Sequence, residues 1–90
     1  MVQEKRHFVM YTREEKADFL RRAVLNDESI SSIARSVNRK RSAIKYHVDK
    51  LLIKIGRIDN TLRWQSWSVL RQKAMDVETA LRKFITESSE

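Results

Sequence analysis

The chain is 90 residues long, has no cysteine or proline and one glycine, and carries nineteen basic against twelve acidic residues, a net charge of +7. That length holds one small domain with room for an appended element, and the lack of cysteine excludes disulfides and thiolate metal sites, which suits a reducing cytosol. No apolar run reaches the length of a membrane span or a signal-peptide core, so a soluble, cytoplasmic protein with no membrane partner is expected. The scarcity of turn-forming residues predicts an all-α fold.

Residues 1–11 read as an N-terminal arm. Lys5, Arg6 and His7 precede the apolar quartet Phe8-Val9-Met10-Tyr11, which is expected to pack on the domain. The basic start is either a solvated terminus or an arm that reaches into a minor groove. Thr12 and Glu15 then form a T-x-x-E capping box, so a first helix should begin there. Ala17, Phe19, Leu20, Ala23 and Val24 give it an apolar face, and Asn26-Asp27 should end it. Arg21 and Arg22 lie on its other side, solvated or within reach of a phosphate.

The stretch from Ser29 to Leu52 reads as two helices joined by a tight turn. Ser29 is a good N-cap, and Ile30, Ile33, Ala34 and Val37 follow at helical spacing. The small Ala34 suits the point of closest approach between crossing helices. Asn38 can take the left-handed conformation that ends such a helix. The next helix resumes near Arg41, with Ala43, Ile44, His47, Val48, Leu51 and Leu52 inward and Arg41, Ser42, Lys45, Tyr46 and Asp49 outward.

This spacing of a small residue, a turn residue four later and an apolar anchor at Ile44 resembles the helix-turn-helix DNA-binding family. Asn38-Arg39 with Ser42-Ala43-Ile44, and the opening Tyr11-Thr12-Arg13-Glu14-Glu15, are closest to its Myb/SANT-like trihelical branch, of the small phage, plasmid or bacterial regulator type. The resemblance implies a helix-turn-helix DNA-binding domain over residues 12–56 whose third helix enters a major groove. Charge placement agrees. Arg35, Arg39, Lys40, Arg41, Lys45, Lys50, Lys54 and Arg57 are opposed only by Asp49 between residues 35 and 57.

Gly56, the single glycine, suits a left-handed cap on the third helix. Beyond it, residues 57–64 either form a very short hairpin, as in winged-helix proteins, or lead into a fourth helix starting after Asn60 or at Ser66. From there Trp67, Leu70, Ala74, Val77, Leu81 and Phe84 are spaced as the a and d positions of a coiled coil. Trp64, Val69, Ala80 and Ile85 widen the stripe. Residues 57–90 are thus expected to add one long C-terminal helix to a three-helix bundle. Its seam either serves as a homodimer interface, the preferred expectation, or folds back on the chain's own core. Ser88, Ser89 and Glu90 are expected to fray.

The expected function is sequence-specific binding of double-stranded DNA by a dimeric transcriptional regulator. Lys40, Arg41, Ser42, Lys45, Tyr46 and Asp49 would face the groove, with Arg41 and Lys45 donating to guanine and Asp49 accepting from cytosine. Arg35, Arg39, Lys50 and Lys54 would hold phosphates. A phage packaging or plasmid partition component is the second reading, and a SANT-like protein-interaction module the third. No metal ligand set surrounds His7 or His47, and no phosphate loop or nucleophile motif occurs. A non-enzyme without cofactor or small-molecule ligand is expected.

Overall fold

The computed structural model describes residues 10–87, which form five α-helices and no strand. The first helix, α1 (Arg13–Leu20), opens on the expected capping box: the Glu15 amide donates to Thr12 Oγ1 at 3.0 Å and the Thr12 amide to Glu15 Oε1 at 2.8 Å. It runs into a widened π turn, Arg21–Leu25, closed by the Asn26 amide on the Arg21 carbonyl at 2.9 Å. Asp27, at φ 56°, then redirects the chain. Of the quartet before α1, Met10 is exposed, whereas Tyr11 sits edge-on against Phe19 and His47. Phe8, Val9, the basic arm before them and residues 88–90 lie outside the described residues.

Helix α2 (Ile30–Val37) is capped by Ser29, whose hydroxyl accepts from the Ser32 amide. It ends on Asn38 at φ 57°, ψ 50°. The Arg39 amide donates to the Ala34 carbonyl at 2.9 Å and the Asn38 amide to the Arg35 carbonyl at 3.3 Å. Those are the two bonds of a Schellman cap, and they satisfy carbonyls that a helix end otherwise leaves bare. Lys40 is the extended residue from which α3 (Arg41–Ile58) starts.

Helix α3 is central, packed against α1, α2 and α5. It does not stop at Gly56. That glycine is helical, with no positive φ, and is buried because Arg63 folds back across it. The expected left-handed cap is therefore corrected to a close-approach glycine. No short wing follows either. Asp59 caps a 3₁₀ turn, Asn60–Leu62, which inserts Leu62 into the core.

The long C-terminal helix is also corrected, because it is broken. Ser66 caps α4 (Trp67–Gln72), and Lys73, at φ −104° and ψ 34°, interrupts the backbone before α5 (Ala74–Thr86). The break lets the pair wrap around the bundle. Leu70, Val77, Ala80, Leu81 and Phe84 enter the same core as Leu20, Val24, Ile33, Ile44, Val48 and Ile55. Leu70 and Leu81 are about as buried as Ile44, at 1%, 0% and 0% exposure. The heptad seam thus faces inward, and residues 57–87 complete one core with residues 12–56. Trp67 and Ala74, the other two seam positions, are half-buried. None of the six forms a free stripe for a second chain.

Candidate nucleic-acid interface

Two groups of cations stand apart in the fold. Arg13, Arg21, Arg22 and Arg71 are structural. Arg21 grips Glu78 of α5 with both nitrogens, at 2.7 and 3.1 Å, tying the π turn to the C-terminal helix. Arg22 holds Glu28 in the same forked manner, at 3.0 and 2.8 Å. That hydrogen bonding raises both arginine pKa values and lowers that of Glu28. Arg13 donates to the Phe84 carbonyl and Arg71 to the Val24 carbonyl, each clasping a helix end. The reading of Arg21 and Arg22 as solvated or phosphate-seeking residues gives way to these contacts.

The second population lies on and around α3. Arg35, Arg39, Lys40, Arg41, Lys50, Lys54 and Arg57 are all exposed, and none makes an ion pair among the described residues. Ser42, Lys45, Asp49, Ile53 and Arg57 follow one another at steps of three and four, one above the next on the outer face, with Tyr46 beside Lys45. Their inward counterparts Ile44, Val48, Leu51 and Ile55 are buried, so packing fixes which face points out.

At the α2–α3 corner, Lys40, Arg41, Ser42 and Lys45 share a shallow hollow of about 560 Å³ with Ser29, Ile30 and Ser31. Arg41 donates to the Ser31 hydroxyl at 3.3 Å, which props its guanidinium between the two helices. Lys45 and Asp49 pair across one turn at 2.9 Å. Each partner therefore has to release the other before meeting a base edge. Arg39 lies over the Tyr11 ring, 5.8 Å from its centre, and donates to the Asn38 carbonyl.

All ten expected DNA-facing positions reach the surface, but not as one group. Lys40, Arg41, Ser42 and Lys45 come together, and Tyr46 and Asp49 continue that face. Arg39 lines a separate hollow with Tyr11. Lys50 and Lys54 turn toward α1 and α5, where they meet Lys16 and His47. Arg35 lies out on α2.

Ser31 and Lys16 were not singled out in the sequence, and Trp64, expected to widen the apolar stripe of the C-terminal helix, instead stands in the turn before α4 and away from the core. Ser31 and Lys16 matter only through contacts ten or more residues away. Trp64 is 83% exposed at φ 60°, beside an apolar hollow lined by Leu52, Ile53, Leu62 and Leu70 with Arg57 and Arg63 at its rim. A bulky residue at positive φ is a conformational outlier, and no local residue pattern signals it.

Among the described residues no three His, Asp or Glu side chains gather as metal ligands, and no helix is long and apolar enough to cross a membrane. Comparison with protein-family models, with curated proteins and with solved structures finds no match.

Proposed function

We propose that the protein binds double-stranded DNA sequence-specifically, as a small transcriptional regulator reading the major groove with the first three turns of α3. The observation that carries this reading is the division of the cations. Arg13, Arg21, Arg22 and Arg71 are tied to carboxylates or carbonyls, while the arginines of the α2–α3 corner are held at the surface without counter-ions among the described residues. An α-helix fits the major groove, and exposed cations beside it gain affinity by releasing the counter-ions condensed on DNA.

In this reading Arg41 and Lys45 donate to guanine edges. Asp49, once released by Lys45, accepts from cytosine. Tyr46 meets a thymine methyl or a phosphate, Lys40 and Ser42 face the groove beside Arg41, and Arg35, Arg39, Lys50 and Lys54 hold the backbone. Such a protein works in the cytoplasm, without a cofactor or a catalytic step. Because the heptad seam is buried, one chain engages one groove, and any pairing of chains on DNA uses a different surface.

The test is selection from a random duplex pool followed by binding at several salt concentrations. A selected consensus, with affinity falling steeply as salt rises, supports the reading. Salt-insensitive or absent binding overturns it. The apolar hollow beside Trp64 favours the third reading, a protein-interaction module, and that reading survives a failure to bind DNA.

A further inference from the structure

We propose that Lys16, Lys50 and Lys54, gathered around His47, form a site for a phosphate group. Lys16 comes from α1, the other three residues from two successive turns of α3. Together with Tyr46, Leu51 and Phe84 of α5 they line a hollow of about 290 Å³ that contains no carboxylate. None of the three ammonium groups has an ion-pair partner among the described residues. Lys50 instead lies over the Tyr46 ring, 5.4 Å from its centre.

Three like charges lining one hollow repel one another, and the contact of Lys50 with the Tyr46 ring is the one favourable interaction that these ammonium groups make among the described residues. The repulsion is felt inside the hollow, where His47 is held below the usual histidine pKa by burial first and then by Lys16 and Lys50. The imidazole is therefore neutral near pH 7 and adds polar lining, while the three lysines supply the charge. Elsewhere the same chain places Glu78 and Glu28 directly on Arg21 and Arg22. A dianionic or bridging phosphate removes the repulsion, and its oxygens can accept from several ammonium groups at once.

The source of that phosphate rests on the DNA-binding reading. Tyr46 belongs both to this hollow and to the outer face of α3, so the site flanks the surface that meets the groove. A backbone phosphate beside the bases being read is its natural occupant. Lys16 then becomes a contact contributed by α1, far from the turn motif in sequence.

The experiment compares the wild type with Lys16→Ala/Lys54→Ala, and uses Arg82→Ala, on the outer face of α5, as the charge control. Two things are measured: the salt dependence of binding to a selected duplex, and amide shifts on titration of the free protein with pyrophosphate. The double variant should flatten the slope of log Kd against log salt by roughly two, with base preference unchanged, while Arg82→Ala leaves the slope alone. Its melting temperature should equal or exceed that of the wild type, since repulsion is relieved. An unchanged slope in a protein that binds DNA overturns the phosphate site and leaves the DNA-binding reading standing. If the wild type binds no duplex but pyrophosphate shifts the Lys16 and His47 amides, and does not in the double variant, the site stands with a free anion as its source. No duplex binding and no pyrophosphate shifts overturn both.

Discussion

A Cβ placed on Gly56 would stand 3.1 Å from the Cα of Arg63. The glycine therefore serves the packing of a loop seven residues on. In an unconstrained helix interior, Ala is favoured over Gly by roughly 0.5–1 kcal/mol. Here Gly56→Ala should lower the melting temperature, because backbone is the atom in the way. A rise in stability would mean that Arg63 does not cross α3 this closely.

The residue that follows that crossing is held against its own preference. Trp64 at φ 60° occupies a region that costs a side-chain-bearing residue roughly 1–2 kcal/mol, and Asn tolerates it better. Trp64→Asn should keep or raise thermal stability, even after loss of the Arg63 guanidinium contact over the indole. A drop of several degrees would show that the exposed ring carries stability.

The buried seam gives a sharper test. Leu81 has no exposed surface and shares a core with Ile44 and Val48. Leu81→Ala should cost about 2–5 kcal/mol at any protein concentration, as for other buried leucines. Leu70→Glu with Leu81→Glu should unfold the chain outright. A folded monomer from that double variant would mean that the stripe joins two chains.

These cases show how far sequence reasoning reaches. The Thr12 and Ser29 caps, the Asn38 turn and both faces of α3 were legible because each depends on residues within one helical turn. The apolar period from Trp67 to Phe84 was legible too. Its partner was not, because a three-four spacing describes a stripe and says nothing of what covers it. The break at Lys73 carries no proline or glycine to announce it. Gly56 was noticed for its freedom at positive φ, whereas its use is the missing side chain, which only the fold of residues 59–64 explains. On the interface, charge density pointed to α3, but the meeting of Lys16 with Lys50 and Lys54 depends on how α1 packs.

His47 supplies a pH signature. Its folded pKa lies below the ordinary value near 6.5, so the unfolded chain binds more protons between those two values. Stability should fall as pH drops through that window and level off below the folded value. His47→Gln should lose this component while keeping the further decline at lower pH, where Glu28 loses its bond to Arg22. Identical pH profiles for wild type and variant would remove His47 from the account.

The central claim is that the outer face at the start of α3 reads base pairs. The most direct measurement is the affinity of Arg41→Ala/Lys45→Ala for the selected duplex and for a scrambled one, with helicity followed by circular dichroism. Each lost base contact is worth roughly 1–3 kcal/mol, so affinity for the selected site should fall at least about tenfold while scrambled-site affinity falls less. Helicity should stay at the wild-type level. Unchanged discrimination between the two duplexes, in a folded double variant, would contradict the assignment of α3 as the reading helix.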